Sequence, residues 1–250
     1  SVISWFKLPE KQRPRLIMLY FSEPDHTGHN VGASHPNIHA TVEEMDSLLG
    51  YLMASLEKLD IYDKLNMFVI SDHGMADVSS ERLIILDDYI SRMDDIYING
   101  SGSHVQFDFK NNQEEYAEVF PEELKGISHC QSWKKDEIPE RFHFVNSNTG
   151  DYLLLADEGW FITTRSKMDE SPFMLEGMHG YDPRIPSMQG IFYAVGANIM
   201  QGIQIPKFEN IHIYPLICRL LDISPYDERE DTPQGNINVL EKILIEDRNK

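Results

Sequence analysis

The sequence predicts an α/β fold with a mostly parallel sheet flanked by helices, and three stretches carry that prediction. Leu16-Ile17-Met18-Leu19-Tyr20-Phe21 is a continuous apolar run, the form of a strand buried on both faces. Downstream, Val42, Met45, Leu48, Leu49, Leu52, Leu56 and Leu59 recur at spacings of three and four, which marks an amphipathic helix from Thr41 to Leu59. Met67-Phe68-Val69-Ile70 then reads as a second buried strand. Strand, helix and strand in that order make a βαβ unit. Its crossover helix returns the chain to start the next strand in the same direction, so it implies a parallel sheet.

The remaining elements follow from shorter signals. Ile96–Ile98 and Val105–Phe109 are expected strands about a Gly/Ser turn, and Glu114–Leu124 is an expected surface helix. Tyr152–Ala156 with Trp160–Thr163 resembles a hairpin. Gly190–Val195 is a further apolar strand and Ile211–Leu221 a helix, followed by a polar loop from Asp227 to Gly235 and a last helix from Val239 to Ile245. There is no internal repeat and no low-complexity segment.

At 250 residues the chain is long enough to bury a sizeable core, and 41% hydrophobic with 25% charged residues is ordinary for a soluble globular protein. Its net charge of −19 repels long polyanions, which argues against a nucleic-acid polymer as partner. Small anionic substrates stay open, because bound dications reverse the local sign of the potential. No run reaches the roughly 18 apolar residues that span a bilayer, which leaves any anchor elsewhere in a parent protein undetermined. Trp5 and Phe6 already read as structured sequence, so the chain is expected to start inside a domain. Cys130 and Cys218 form one disulfide or stay as two half-buried thiols, and neither has zinc-finger spacing.

Functional residues of open α/β sheets gather beyond the carboxyl ends of the strands. Two acid–histidine clusters lie there: Asp25 with His29 after the first strand, and Asp72 with His73 after the second. A third polar turn, Gly177-Met178-His179-Gly180-Tyr181-Asp182, has glycines that let backbone approach a ligand closely. Carboxylate oxygen and imidazole nitrogen are the donors hydrolytic zinc prefers, with three protein ligands and one open position. Asp25, His29 and His179 would complete one such site, and Asp72 with His73 would leave a second one ligand short. Taken singly, each pair is more often a hydrogen-bonded loop or a helix cap than a metal site.

Tyr20-Phe21-Ser22-Glu23-Pro24-Asp25-His26-Thr27-Gly28-His29-Asn30-Val31-Gly32, then Ser71-Asp72-His73-Gly74-Met75, then Gly177 to Asp182, resemble the nucleotide pyrophosphatase/phosphodiesterase family of the alkaline phosphatase superfamily. The likeness extends to Trp5–Pro14, Ile138–Phe144, Trp160–Lys167 and Phe208–Leu221, so it covers nearly the whole chain. It implies an alkaline phosphatase-like fold in which residues 1–250 are the C-terminal part of a single phosphodiesterase catalytic domain, its N-terminal part being absent and a necessary partner. By the same resemblance Asp25, His29 and His179 bind one Zn2+, and Asp72 and His73 the other.

The family's remaining zinc ligand, an Asp, and its Thr or Ser nucleophile belong to segments without a match here, so no catalytic residue is assigned within the chain. Thr27, between two ligands, reads as loop packing. Ala33 stands where the family often has Pro, which bears on loop stiffness and not on ligation. His26 and His35 flank the first metal loop and are expected to support it or face solvent. The implied activity is two-zinc hydrolysis of phosphodiester or pyrophosphate bonds in nucleotides, or in lysophospholipids, through a covalent intermediate, in a protein that faces outside the cytoplasm or lies in the periplasm. Two alternatives are a superfamily hydrolase of phosphomonoesters, phosphonates or sulfate esters, and a non-catalytic extracellular binding fragment.

Overall fold

The structure is a computed structural model that describes residues 2–110, 114–170, 175–226 and 235–245. In chain order the helices are α1 (Val2–Phe6), α2 (Asp25–Val31), α3 (Pro36–Leu56), α4 (Glu114–Lys125), α5 (Arg165–Glu170), α6 (Ile213–Leu221) and α7 (Ile237–Leu240). The strands are β1 (Asn66–Ile70), β2 (Ala76–Asp77), β3 (Leu83–Ile85), β4 (Ile96–Gly100) and β5 (His104–Phe109), followed by β6 (Cys130–Lys134), β7 (Tyr152–Ala156), β8 (Phe161–Thr163), β9 (Gly177–Met178) and β10 (Phe192–Gly196). They fall into two compact units, the first made of Ser1–Phe21, Glu44–Asp72 and Ile191–Lys250, the second of Ser22–Glu43 and His73–Gly190.

The second unit holds the larger core. Its four-stranded antiparallel sheet has the order β4-β5-β7-β6, with β4 and β5 joined by the expected tight Gly/Ser turn. Val105 and Phe107 alternate into the core along β5, while central β7 is buried along its whole length. Tyr116, Phe120 and Leu124 recur every four residues on α4 and point the same way, as a helix period of 3.6 requires. Phe120, fully buried, meets the rings of Phe107, Phe109, Tyr116 and Tyr152 edge-on at centroid distances of 5.2–5.5 Å. Edge-to-face packing places the positive ring edge on a negative ring face, so this cluster gains more than area burial alone.

In the first unit β1 pairs antiparallel with β10 along its full length. Phe68, Phe192 and Ala194 turn towards a small core of Ile199, Leu216, Leu240 and Ile243. Leu216 and Cys218 come from α6, and Leu240 from α7, shorter than the expected terminal helix and continued by a 3-10 turn to Ile243. The expected loop from Asp227 lies outside the described residues as far as position 234.

Three expectations are corrected. Leu16–Phe21 is not paired with any described strand, and Met18 and Tyr20 are 88% and 77% exposed. An apolar run becomes a strand only where neighbours take up its backbone hydrogen bonds, and pattern alone cannot supply them. The βαβ unit is therefore not formed among the described residues, and β3 with β8 is the one parallel pair among their named strands. Finally, β7 and β8 are not a hairpin: both edges of β7 are occupied, by β5 and β6, so the chain turns at Gly159 and β8 joins β3 instead. Cys130 and Cys218 are both free thiols, and burial pushes Cys130 up to about 11.

Phe120→Ala is expected to destabilise the protein by about 3–5 kcal/mol, read as a lowered denaturant midpoint, because the aromatic cluster cannot collapse into the space left. A change below 1 kcal/mol would contradict the packing described.

Candidate metal centre

Two short elements place the polar residues of the second unit. β2 and β9 pair antiparallel, with Ala76 opposite Met178 and Asp77 opposite Gly177. His73 precedes β2 and His179 follows β9, so this pairing brings their segments together. Helix α2, which carries Asp25 and His29 one turn apart, packs on β9. Glu176 links all three: its N–H donates to the His29 carbonyl at 2.9 Å, and its carbonyl accepts from Val78 N–H at 2.9 Å.

The close approach of α2 and β9 requires glycine. A Cβ on Gly177 would stand 2.2 Å from the Gly28 carbonyl oxygen, a collision with backbone that no side-chain motion relieves. Gly180, just past His179, has φ +86° and lies so close to Ser103 that a Cβ would meet its Oγ at 2.7 Å.

Asp25 Oδ1 sits at the centre of the cluster. The Nε2 atoms of His29, His179 and His73 lie 3.4, 3.7 and 3.9 Å from it. This oxygen is buried and accepts no hydrogen bond, although the carboxylate as a whole is partly exposed. His29 Nδ1–H donates to the Gly177 carbonyl and His73 Nδ1–H to the Gly74 carbonyl, each at 2.8 Å. A carbonyl only accepts, so each ring carries its proton at Nδ1 and turns Nε2 towards Asp25. The His73 and His179 rings stack, with centroids 3.5 Å apart and planes 9° apart.

Of the five sequence-predicted ligands, Asp25, His29 and His179 form a group whose donor atoms lie within 4.8 Å of one another and which could hold a metal ion. His73 stands beside them, and Asp72, exposed and adjacent to His73 in the chain, is the last residue of that segment of the first unit. The two carbonyls that fix the imidazoles left no trace in the sequence, because every residue has one. Thr27, expected to pack within a loop, lies in α2 instead; its N–H donates to Glu23 and its hydroxyl accepts from Thr41 at 3.5 Å. His26 and His35 are exposed.

The family model described as Type I phosphodiesterase / nucleotide pyrophosphatase matches residues 1–182, which includes all three motifs up to Asp182. The chain belongs to that family. Among its relatives, human ectonucleotide pyrophosphatase/phosphodiesterase family member 5 is 34% identical over 90% of this chain and 45% of its own length. Bis(5'-adenosyl)-triphosphatase of Xenopus laevis is 34% identical over 89% of this chain and 48% of its own. The solved structure of the human family member 5 superposes with a TM-score of 0.85 at 31% identity, over 97% of this chain and 62% of that one. A murine counterpart, solved as an inactive threonine-to-alanine variant in complex with AMP, gives 0.86 at 29% identity over 98% and 62%. This phosphodiesterase-family chain therefore has the alkaline phosphatase-like α/β fold, and it spans about half the length of these curated relatives.

Gly177→Ala is expected to cost about 1–3 kcal/mol of stability, measured by denaturant unfolding, because it forces β9 away from α2. A second test concerns pH. Burial holds the half-buried His104, beneath the Gly180 turn, below its ordinary value of 6.5. The stability gained by keeping it neutral is fully present above pH 6.5 and is lost as pH falls through the depressed native value. The denaturant midpoint should drop on acidification from about pH 7.5 to 5, and drop less in His104→Gln.

Proposed function

We propose that this chain supplies the metal-binding part of a two-zinc hydrolase that cleaves phosphodiester or pyrophosphate bonds in nucleotides. Asp25, His29 and His179 would hold one zinc ion, and Asp72 and His73 would contribute to the other. The buried Asp25 Oδ1, without a hydrogen bond and ringed by three imidazole Nε2 atoms, carries this reading. Leaving a charged acceptor buried and unmatched costs more than the roughly 1–3 kcal/mol typical of a neutral group. A cation among these donors removes that cost, and O/N donors of this kind suit zinc. The Nδ1–H bonds to backbone carbonyls support it further, since they fix the ring orientation and tautomer that a metal requires.

When bound, zinc would supply Lewis acidity, lowering the pKa of a ligated hydroxyl and taking up charge on phosphoryl oxygens. The residues of this chain would hold the ions in fixed orientation and keep the carboxylate in place. The nucleophile, a Thr or Ser, would lie outside residues 1–250. The Thr27 hydroxyl is engaged with Thr41, between α2 and α3, and Thr149, Thr163 and Thr164 are buried. The inactive threonine-to-alanine variant of the murine relative supports a threonine in that role, and its AMP complex supports a small nucleotide substrate.

We read residues 1–250 as part of a single catalytic domain, supported by a family match that runs through segments of both units. An extracellular or cell-surface location is supported by relatives named as ectonucleotide and venom phosphodiesterases. Among the described residues no helix is long and apolar enough to cross a membrane.

The test is zinc content and hydrolysis of a nucleoside p-nitrophenyl phosphodiester by the full-length protein and its His179→Ala variant. Wild type should carry about two zinc ions. The variant should lose zinc and more than about 100-fold in turnover, since changes merely adjacent to ligands already cost 10–100-fold. Unchanged zinc and activity would sink the assignment. Robust turnover by residues 1–250 alone would show that the nucleophile lies within them.

A further inference from the structure

Beyond the ligands, the second unit contains a shielded ion pair with no part in the donor set. Arg141 Nη1 donates to Asp182 Oδ1 at 2.7 Å and its Nη2 to Oδ2 at 2.6 Å, a two-pronged geometry that fixes both distance and plane. The side chains are only 25% and 21% exposed, unlike the solvated surface pairs that contribute almost nothing. The Arg141 guanidinium also lies 4.1 Å over the Phe142 ring, which meets Trp133 of β6 edge-on at 5.7 Å. One end of the pair is thus fastened to the four-stranded sheet.

The other end holds the turn after His179. Asp182 Oδ1 accepts from Arg184 N–H at 2.9 Å, and the Asp182 carbonyl accepts from Ile185 N–H at 3.0 Å. Between His179 and Asp182, Tyr181 is buried and its hydroxyl donates to the Trp160 carbonyl at 2.8 Å. Gly180 is wedged against Ser103. Each residue from 180 to 182 is fixed to a different part of the unit, and Arg141 supplies a charged fastening at Asp182.

We propose that Arg141 is a positioning residue for the metal centre: its forked pair with Asp182 fixes the turn that aims His179 Nε2 towards Asp25. The proposal rests on the reading of Asp25, His29 and His179 as zinc ligands. An ion pair serving stability alone would lower the melting temperature and leave metal affinity unchanged. A positioning pair changes the affinity of the site, and residues that orient ligands in this way are typically worth 10–100-fold in metal binding.

The experiment uses the full-length protein with Arg141→Ala, Arg141→Lys, Asp182→Asn and the Arg141→Ala/Asp182→Asn double variant. Zinc retention is read by competition with a chelator, alongside melting temperature, kcat and KM. Arg141→Ala and Asp182→Asn should each weaken zinc binding about tenfold, and the double variant no more than either, because both open the same clamp. Arg141→Lys keeps the charge but not the fork and should fall between; kcat should drop with KM little changed. Wild-type zinc affinity in the folded variants, with only the melting temperature lowered, would overturn the proposal, as would additive losses in the double variant. If Arg141→Ala does not fold, wild-type affinity in both Arg141→Lys and Asp182→Asn overturns it equally. A wild-type protein that binds no zinc would defeat the underlying metal reading and this proposal with it. Zinc bound normally by wild type and by every Arg141 variant would defeat this proposal alone.

Discussion

The arrangement of the second unit depends on one unusual electrostatic situation, a carboxylate oxygen buried without a hydrogen-bond donor. Asp25 Oδ1 faces three imidazoles, two of which have their protons committed to backbone carbonyls on the far side of the ring. Protein interiors seldom tolerate an unmatched charged acceptor. Here the surrounding backbone holds it in place: glycine at 177 permits contact between α2 and β9, and the two-residue pairing of β2 with β9 sets the spacing of His73 and His179. On the proposed zinc reading, the geometry would serve a ligand cluster at the expense of local polar satisfaction.

The polar site was more legible in the sequence than the strands were. Acid and imidazole beside glycine made Asp25, His29 and His179 candidates, the family resemblance assigned them, and the chain does bring these three together. Helices α3 and α4 and the β4–β5 hairpin were also readable, since periodicity and a Gly/Ser turn are local properties. Strand partnership is not local. Leu16–Phe21 has the composition of a central strand, yet nothing in its six residues specifies which chain segment completes its ladder. Tyr152–Ala156 and Phe161–Thr163 mislead for the complementary reason: adjacency suggests a hairpin, but β6 and β5 already occupy both sides of β7.

The supporting contacts were the least legible part. The carbonyls of Gly74 and Gly177 and the pairing of Arg141 with Asp182 join residues up to 148 positions apart through groups of ordinary composition. A carbonyl acceptor has no signature at all, and an arginine becomes informative only when its carboxylate is known. Burial does similar hidden work at His104, whose imidazole is held below its usual value by surroundings drawn from distant segments.

The β2–β9 pairing has a consequence for the order in which the molecule assembles. It joins residues about 100 positions apart, so forming it costs on the order of 4 kcal/mol in loop-closure entropy before any donor set exists. During synthesis Asp25 and His29 emerge long before His179, and a nascent chain therefore presents only a fragment of the site. On the proposed zinc reading, metal capture would follow closure of the long loop rather than nucleate it. Opening of that two-residue pairing would release the His73 segment from the His179 segment, while Asp25 and His29 stay against β9 through α2 and the Glu176–His29 hydrogen bond.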